Sequence, residues 1–589
     1  VETIQEVLAW RHEVRDPSPE GKTVESIDVV PLEVFERRDL LPRWLNVFHV
    51  TTRQYVIRRE VLLREGAPYT QALADDTIRN LRRVPVVPQL SAVLVVPTVG
   101  SDPDKVRVLV ITKDVWSLRL SWDAVATSGG IEQLALAPSE TNFLGTHQIL
   151  SADFVLEPSA YTFGVGYMVP SVDGTRIAAQ ANANVMFGRE SGDAEGSFGS
   201  LIAGQPLYSG KTEWAWDSVV AWQDEIVRRY VSAQLYPFVD TAGSIPWEYR
   251  ARGLFADYAL TRSFGWEEKH NFTLSALVSR GEYLTSFAGG PPKTVADFLA
   301  TKVPVSDTRV GPALSYHGYT TRFVRVFDFD TLALQEDYRL GHDVVARVYP
   351  SFRAIGASRD VYSLYGAAQY TWAVRDGLFR LSVQSLTEAE PTRIADAAFV
   401  PSVHLVSPSI GRVGRLVLDG TLLWKWRNYL RQVASYQGGG VVGYGLDPTA
   451  AIGPTILGGD DRLRGYPTNF FVGQNSFSYN VEFRTRPVEI LSCEIGAVAF
   501  YDVGDAADGP IGNLHPYQSV GAGIRALFPW LDRVVFRADV GVPLQRPVNL
   551  TSGSPIAPVG FVITFSQAFG TPSVAPAPAL PTGQGPDAP

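Results

Sequence analysis

From residue 117 to residue 569 one pattern keeps returning. A strand-length stretch alternates polar and apolar side chains, a glycine or proline turn follows, and another such stretch begins. A period of two marks a β-strand whose two faces meet different surroundings. In RIAAQANANVMFG (176–188), Arg176, Gln180, Asn182 and Asn184 share one face; Ile177, Ala179, Ala181, Ala183 and Val185 share the other. QYTWAVRDGLFRLSVQ (369–384) predicts a hairpin with Asp376-Gly377 at a type I′ tip. Its return strand turns Phe379, Leu381 and Val383 one way and Arg380, Ser382 and Gln384 the other. A second Asp-Gly pair stands at 173–174, and Trp214, Trp216 and Trp222 share one face, as in an aromatic girdle.

No stretch approaches the ~18 apolar residues that a membrane helix needs. The longest apolar runs, such as AVLVVP (92–97), are strand-sized. Lipid admits only helices and closed barrels, because both satisfy every backbone polar group. A membrane-embedded chain of this kind is therefore a barrel. The competing readings are a large soluble β-sandwich and a propeller. No blade-length repeat is visible, which disfavours the propeller. The polar faces carry Ser, Thr, Asn, Gln and Arg, as a wet lumen does, where a soluble exterior would be more heavily charged. Some 450 residues, at about 25–28 per strand and loop, predict an all-β transmembrane barrel of about 16 antiparallel strands. The segments 188–212 and 282–312 read as outer loops, the second with a short helix in TVADFLATKV, and the Asp-Gly turns belong to the opposite rim.

The N-terminal part differs. Residues 1–24 are polar and read as a disordered leader. A strand is expected in ESIDVVPLEVF (25–35). Helices are expected over 51–69, capped by Thr51 or Thr52 and stopped at Gly66, and over 70–84. Strands follow at 91–99 and 105–116. Residues 25–116 thus form a small α+β domain, 117–569 the barrel, and the Pro/Ala-rich 570–589 a disordered tail.

Several function classes fall away. Net charge is −9, so no basic footprint for nucleic acid exists. The single cysteine, Cys493, excludes an internal disulfide and a cysteine metal cluster. Eight histidines, among them His49, His147, His317 and His515, lack ligand spacing, so no metal site is expected. There is no G-x-S-x-G, and GGGVVGYG (438–445) is followed by no phosphate-loop lysine. Neither an enzyme nor a cofactor is expected.

One loop stands out: GGDDRLRGYPTNFF (458–471). Downstream, SFSYNVEFRTR (476–486) turns Tyr479, Val481 and Phe483 to lipid and Ser478, Asn480, Glu482, Arg484 and Arg486 to the lumen. AVAFYDVGDA (497–506) places Asp502 and Gly504 on one face. Lipid-facing charge at mid-depth costs about 2–4 kcal/mol for Arg or Lys, so these groups point inward. Gly458, Gly459 and Gly465 would let the loop bend toward the wall, where Arg464 could meet Glu482 and Asp502. By the residues alone, the simpler reading is an exposed Arg464 paired with Asp460 or Asp461.

GGDDRLRGYP, NVEFRTRP, FYDVG and SVGAGIR (519–525), in this order, resemble the C-terminal part of the BamA/TamA superfamily, whose barrel is called the bacterial surface antigen domain. NFLGTHQILSADF (142–154) resembles its second barrel strand and the adjoining turn. VIRREVLLREGAPY with IRNLRRV resembles one POTRA module. The resemblance implies a lumenal loop motif of Arg464, Gly465 and Tyr466, with Glu482 and Asp502 as acidic acceptors and Arg484 and Gly504 in support. The usual valine before the arginine is Leu463 here. PVGFVITFSQAF (558–569) resembles the closing-strand signal, with Gly560, Ile563, Phe565 and Phe569. Relatives insert or export proteins in the bacterial outer membrane, with the POTRA in the periplasm. The implied partners are the bilayer, unfolded outer-membrane or secreted clients taken up at the POTRA edge near 91–97 and at the seam between the first and last strands, and periplasmic accessory proteins. The implied role is an assembly and insertion factor. The alternatives are a two-partner-secretion pore and a structural or lipid-transport barrel.

Overall fold

The computed structural model describes the chain apart from residue 1 and residues 35–43, 45–46, 48, 83–89, 128–129, 209–211, 432–455, 461, 492, 529–533, 566–567 and 569–589. The glycine-rich 438–445, Asp461, Phe569 and the proline-rich tail therefore lie outside the described residues.

The α+β domain has a three-stranded sheet in the order β1 (Thr23–Leu32), β3 (Lys105–Asp114), β2 (Leu90–Val99). β1 and β3 run parallel, and β2 is antiparallel to β3. The central β3 is covered on both faces, which is why VRVLVI reads as an almost continuous apolar run. Val106, Val108 and Val110 pack with Ile57 of α2 (Gln54–Glu60) and Leu81 of α3 (Gln71–Arg82). Leu109 and Ile111 pack on the other side with Val7 of α1 (Glu2–Arg11). The expected leader is thus helical over most of its first half, and residues 14–16 hydrogen-bond along the end of β2. Its few apolar residues hid this, because the sheet supplies the burial. α2 is also shorter than expected. Arg53 stands at its N-cap without a side-chain cap, while Thr52 is committed elsewhere.

Beyond Asp114 the described chain closes into an antiparallel barrel. Twenty strand positions, β4 (Leu118–Thr127) to β23 (Gly560–Phe565), make up the wall, with Val488–Ile490 continuing the strand before it. The expectation of sixteen is corrected. It assumed too long a repeat; the average here is about 22 residues, and four of the described turns hold only two or three. The stretch 188–212, expected as a loop, contains the strand Ala194–Gln205. Its serines and glycines weakened the alternation. The second expected outer loop does carry a helix, α4 (Pro292–Thr301). The hairpin tip near Asp376 lies one residue earlier than expected. Val374 pairs with Gly377, so Arg375, at φ +58°, and Asp376 form the turn. Asp173-Gly174 sits in a 3-10 turn within a longer connection.

The two barrel faces separate as the alternation requires. Leu381, Tyr479, Leu274 and Leu314 are exposed outward, while Arg380, Asn480, Glu482 and Asp419 are buried inward. Arg486 lies past its strand and is exposed. No helix among the described residues is long and apolar enough to cross a membrane. The α+β domain docks at one rim. Arg53 N–H donates to Gly145 O, Arg176 pairs with Glu60, and Asn142 Nδ2 donates to Val50 O at 3.0 Å. His49 Nε2 lies 2.9 Å from Asp114, and Thr52 Oγ1 lies 3.1 Å from His147.

Candidate functional site

Five strands of the second half build the site: β18 (Gly414–Asn428), β19 (Asn475–Thr485), β20 (Cys493–Ala507), β21 (Tyr517–Leu527) and β22 (Phe536–Pro543). Their period of two turns Asp419, Asn480, Glu482, Arg484, Asp502, Arg525, Arg537 and Asp539 into the lumen, and all are buried. The loop between β18 and β19 folds down among them. A short pairing of Ile456–Leu457 with Phe471–Val472 closes its neck.

Arg464 lies at the centre. Its Nε donates to Asp502 Oδ2 at 2.8 Å and its Nη2 to Asp502 Oδ1 at 3.0 Å, a bidentate clamp. Nη1 donates to Glu482 Oε2 at 2.6 Å and to Asp539 Oδ2 at 3.2 Å. The guanidinium also lies 3.5 Å from the Phe500 ring centroid, a cation–π contact whose value rises once both groups leave water. Glu482 and Asp502 therefore both accept from Arg464. Asp460 faces Arg537 at 3.9 Å instead of Arg464, which sets aside the exposed-loop reading.

The charges interlock further. Arg484 Nε donates to Glu482 Oε1 at 2.8 Å, and Arg525 pairs with Asp539. Asn480 Nδ2 bridges to Asp502 at 2.9 Å and to the Arg462 carbonyl. Arg462 pairs with Asp419, which also meets His404 Nδ1 at 3.0 Å. Burying charge is tolerable only when it is paired, and each carboxylate of this cluster meets at least one guanidinium. Asp539, Arg525 and Phe500 were not singled out from the sequence. FRADVGVP does alternate, and that pattern could have placed Asp539 on the lumenal face.

Gly465 and Tyr466 set the loop against the wall. Gly465 is at φ +95°, and a Cβ there would lie 2.8 Å from the Gly541 carbonyl carbon. Added Cβ atoms at Gly541 and Gly560 would meet Gly465 at 2.6 and 2.9 Å. Three glycines thus interlock where the loop touches the last two strands, which gives Gly560 a packing reason. Gly504 has Leu457 close over it. Tyr466 OH donates to Gln518 O at 2.9 Å, and its ring packs on Phe471 and Tyr517. Ile563 and Phe561 face outward and are exposed. The Phe565 backbone pairs with Phe536.

The loop leans on strands beside the join of β23 and β4. β23 pairs with β4 at three residue pairs among the described residues: Phe561 with Ala126, Val562 with Val125, Ile563 with Ala124. The two longest described ladders, which join Glu248–Phe264 to Trp214–Arg228 on one side and to Glu268–Leu284 on the other, have fifteen each.

No family model and no curated protein matches the chain. Solved structures similar to it include BamA from Haemophilus ducreyi lacking POTRA domains 1–3, with 11% identity, 93% of this chain and 85% of that chain covered, and a TM-score of 0.38. CdiB from Acinetobacter baumannii gives 9%, 93%, 74% and 0.39. CdiB from Escherichia coli gives 11%, 94%, 80% and 0.39. At such scores these likenesses carry no weight of their own. The strand pairing and the apolar exterior define the class: a closed β-barrel of the outer-membrane type.

Proposed function

We propose that the chain is an outer-membrane barrel of the BamA/TamA kind that helps other strands into the membrane at its seam. The short pairing of β23 with β4 carries this reading. Among the described residues β23 meets β4 only from Phe561 to Ile563, opposite Ala126 to Ala124. A short join of this kind, once opened beside a hydrophobic exterior, would offer a strand edge as a template for an incoming strand. The ion cluster of Arg464 would keep the neighbouring wall in register while the seam opens. The α+β domain, in the β-α-α-β-β order of a POTRA module, would sit in the periplasm and meet clients or accessory proteins. Its β2 edge is partly taken by residues 14–16, which leaves the stretch around Leu90–Val95 for such contacts.

A translocation pore is the alternative. The described lumen holds the Arg464 loop, and that favours the seam. No enzymatic role belongs to this reading. The test is a disulfide across the seam, Ala124→Cys with Ile563→Cys in a Cys493→Ser background. Oxidation should abolish assembly of client barrels and reduction should restore it. Full activity with the seam locked would overturn the proposal. Loss of one secreted protein on depletion, with outer-membrane proteins unchanged, would favour the pore.

A further inference from the structure

We propose that residues 321–340 form an inner plug across the mouth nearest the α+β domain, latched to the Arg464 loop through Arg484. Most connections at this rim are short, as at Arg375-Asp376. The one between Asp307–Thr320 and Gly341–Val348 has twenty residues. Connections this long inside a compact structure usually have a task. It lies at the domain's rim, since Arg79 of α3 sits 5.8 Å over the Phe323 ring.

The segment has a fold of its own. Phe323–Phe327 pairs with Gln335–Arg339 as a hairpin. Its tip is organised on the buried Glu336. That carboxylate accepts the N–H groups of Phe329, Asp330 and Thr331 at 3.0–3.1 Å, together with the Thr331 hydroxyl at 2.7 Å. A loop with its own internal cap arrives preformed.

Its apolar side points into the barrel. Val326, Phe329 and Tyr338 pack with Leu378, Val406 and Val417. Leu332 packs with Leu527 and Val535. These wall residues share strand parity with the lumenal Arg380, His404, Asp419, Arg525 and Arg537, so the contacts are made on the inner face. The hairpin therefore reaches from its own strands across to β21 and the start of β22.

The latch is a chain of three contacts. Phe329 O accepts from Arg484 Nη1, Arg484 Nε donates to Glu482 Oε1, and Glu482 Oε2 accepts from Arg464 Nη1. Arg415 adds its guanidinium 5.2 Å over the Phe329 ring. One buried carboxylate thus serves the loop from one mouth and, through Arg484, the hairpin from the other. Withdrawing the hairpin strips Arg484 of its carbonyl partner and exposes Glu482 to water. Both changes weaken the seat of the loop.

The test uses the full chain in planar bilayers, in a Cys493→Ser, Leu463→Cys background. Leu463, beside Arg464 in the loop, is buried against Ala506 and Ile556, so labelling by a membrane-impermeant maleimide added on the loop side reports undocking. Two variants unseat the plug: residues 323–339 replaced by a short Gly-Ser linker, and Phe329→Ser, which leaves the chain length intact. Heat-modifiable gel mobility identifies folded barrels. The expected result is at least a several-fold rise in conductance and a several-fold faster labelling of Leu463→Cys in folded Phe329→Ser. Unchanged conductance in both folded variants would overturn the plug. A conductance rise with unchanged labelling would overturn the latch.

Discussion

The wall of this barrel is held together in two different ways. On the side of Trp214–Arg228 and Glu248–Phe264, fifteen consecutive residue pairs join two neighbouring strands. Further round, Arg309 clamps Glu388 with two nitrogens, while Arg359 binds Asp307 at 3.1 Å and Glu390 at 2.9 Å, reinforcing the rim. Near the seam the described ladder has three pairs, and the neighbouring strands are held from inside by a loop. Backbone ladders are local and hard to open piecemeal. A loop anchored by one arginine can be withdrawn in a single step.

The sharpest way to break this comparison is Arg464→Ala. It leaves Asp502, Glu482 and Asp539 facing one another, and the loss of one partner from a buried cluster costs about 3–5 kcal/mol. The barrel should still insert, shown by heat-modifiable mobility, but with a lower unfolding midpoint in denaturant and without activity. Arg464→Lys should not rescue it, because an ammonium cannot clamp Asp502 with two nitrogens. Unchanged activity in Arg464→Ala would remove the loop from the account.

The second effect is a pH dependence at the junction beside the first strands. His147 lies in the turn between β5 (Gly130–Phe143) and β6 (Gln148–Leu156). Burial, helped by Arg59 and opposed by Asp114, pushes its imidazole down to about 4. The docked state keeps it neutral, so docking is strongest above the ordinary value of about 6.5 and weakens as pH falls through that range. The loss reaches about 3 kcal/mol below pH 4. Limited proteolysis between the α+β domain and the barrel should accelerate from pH 7 to pH 5, and His147→Gln should flatten the profile.

Gly465→Ala comes third. Its Cβ would press on Gly541 at 2.8 Å from a left-handed backbone, a strain of about 1–3 kcal/mol. Faster labelling of Leu463→Cys measures it. Smallest is Arg309→Ala on the far wall, at about 1–2 kcal/mol, because Ser363 and Arg359 still serve Glu388. It should shift the unfolding midpoint slightly and leave activity unchanged. An effect equal to that of Arg464→Ala would erase the distinction between the two sides.

Much of this was legible in the residues. Alternation decided that Asn480, Glu482 and Arg484 share the lumen with Asp502, since each strand offers two faces and lipid tolerates charge on neither end of a mid-depth path. The glycines around Arg464 predicted the bend, and two of its three acceptors could be named. Asp539 was missed because nothing local links residue 464 to residue 539; they meet only when β22 closes beside β21. Gly541 and Gly560 are equally silent until the loop lies on them.

By itself, then, the sequence determined the kind of wall and which side chains it shows to water; the lumenal seat of Arg464 was implied only by the family resemblance. The first two follow from periods of two and from the cost of charge in hydrocarbon, both local properties. Tertiary structure alone decided the count of twenty strands, the docking of α1 on the sheet, the plug-like hairpin at 321–340 and the shortness of the seam. Each depends on how far-separated segments share a closed circumference, and no window of sequence contains that geometry.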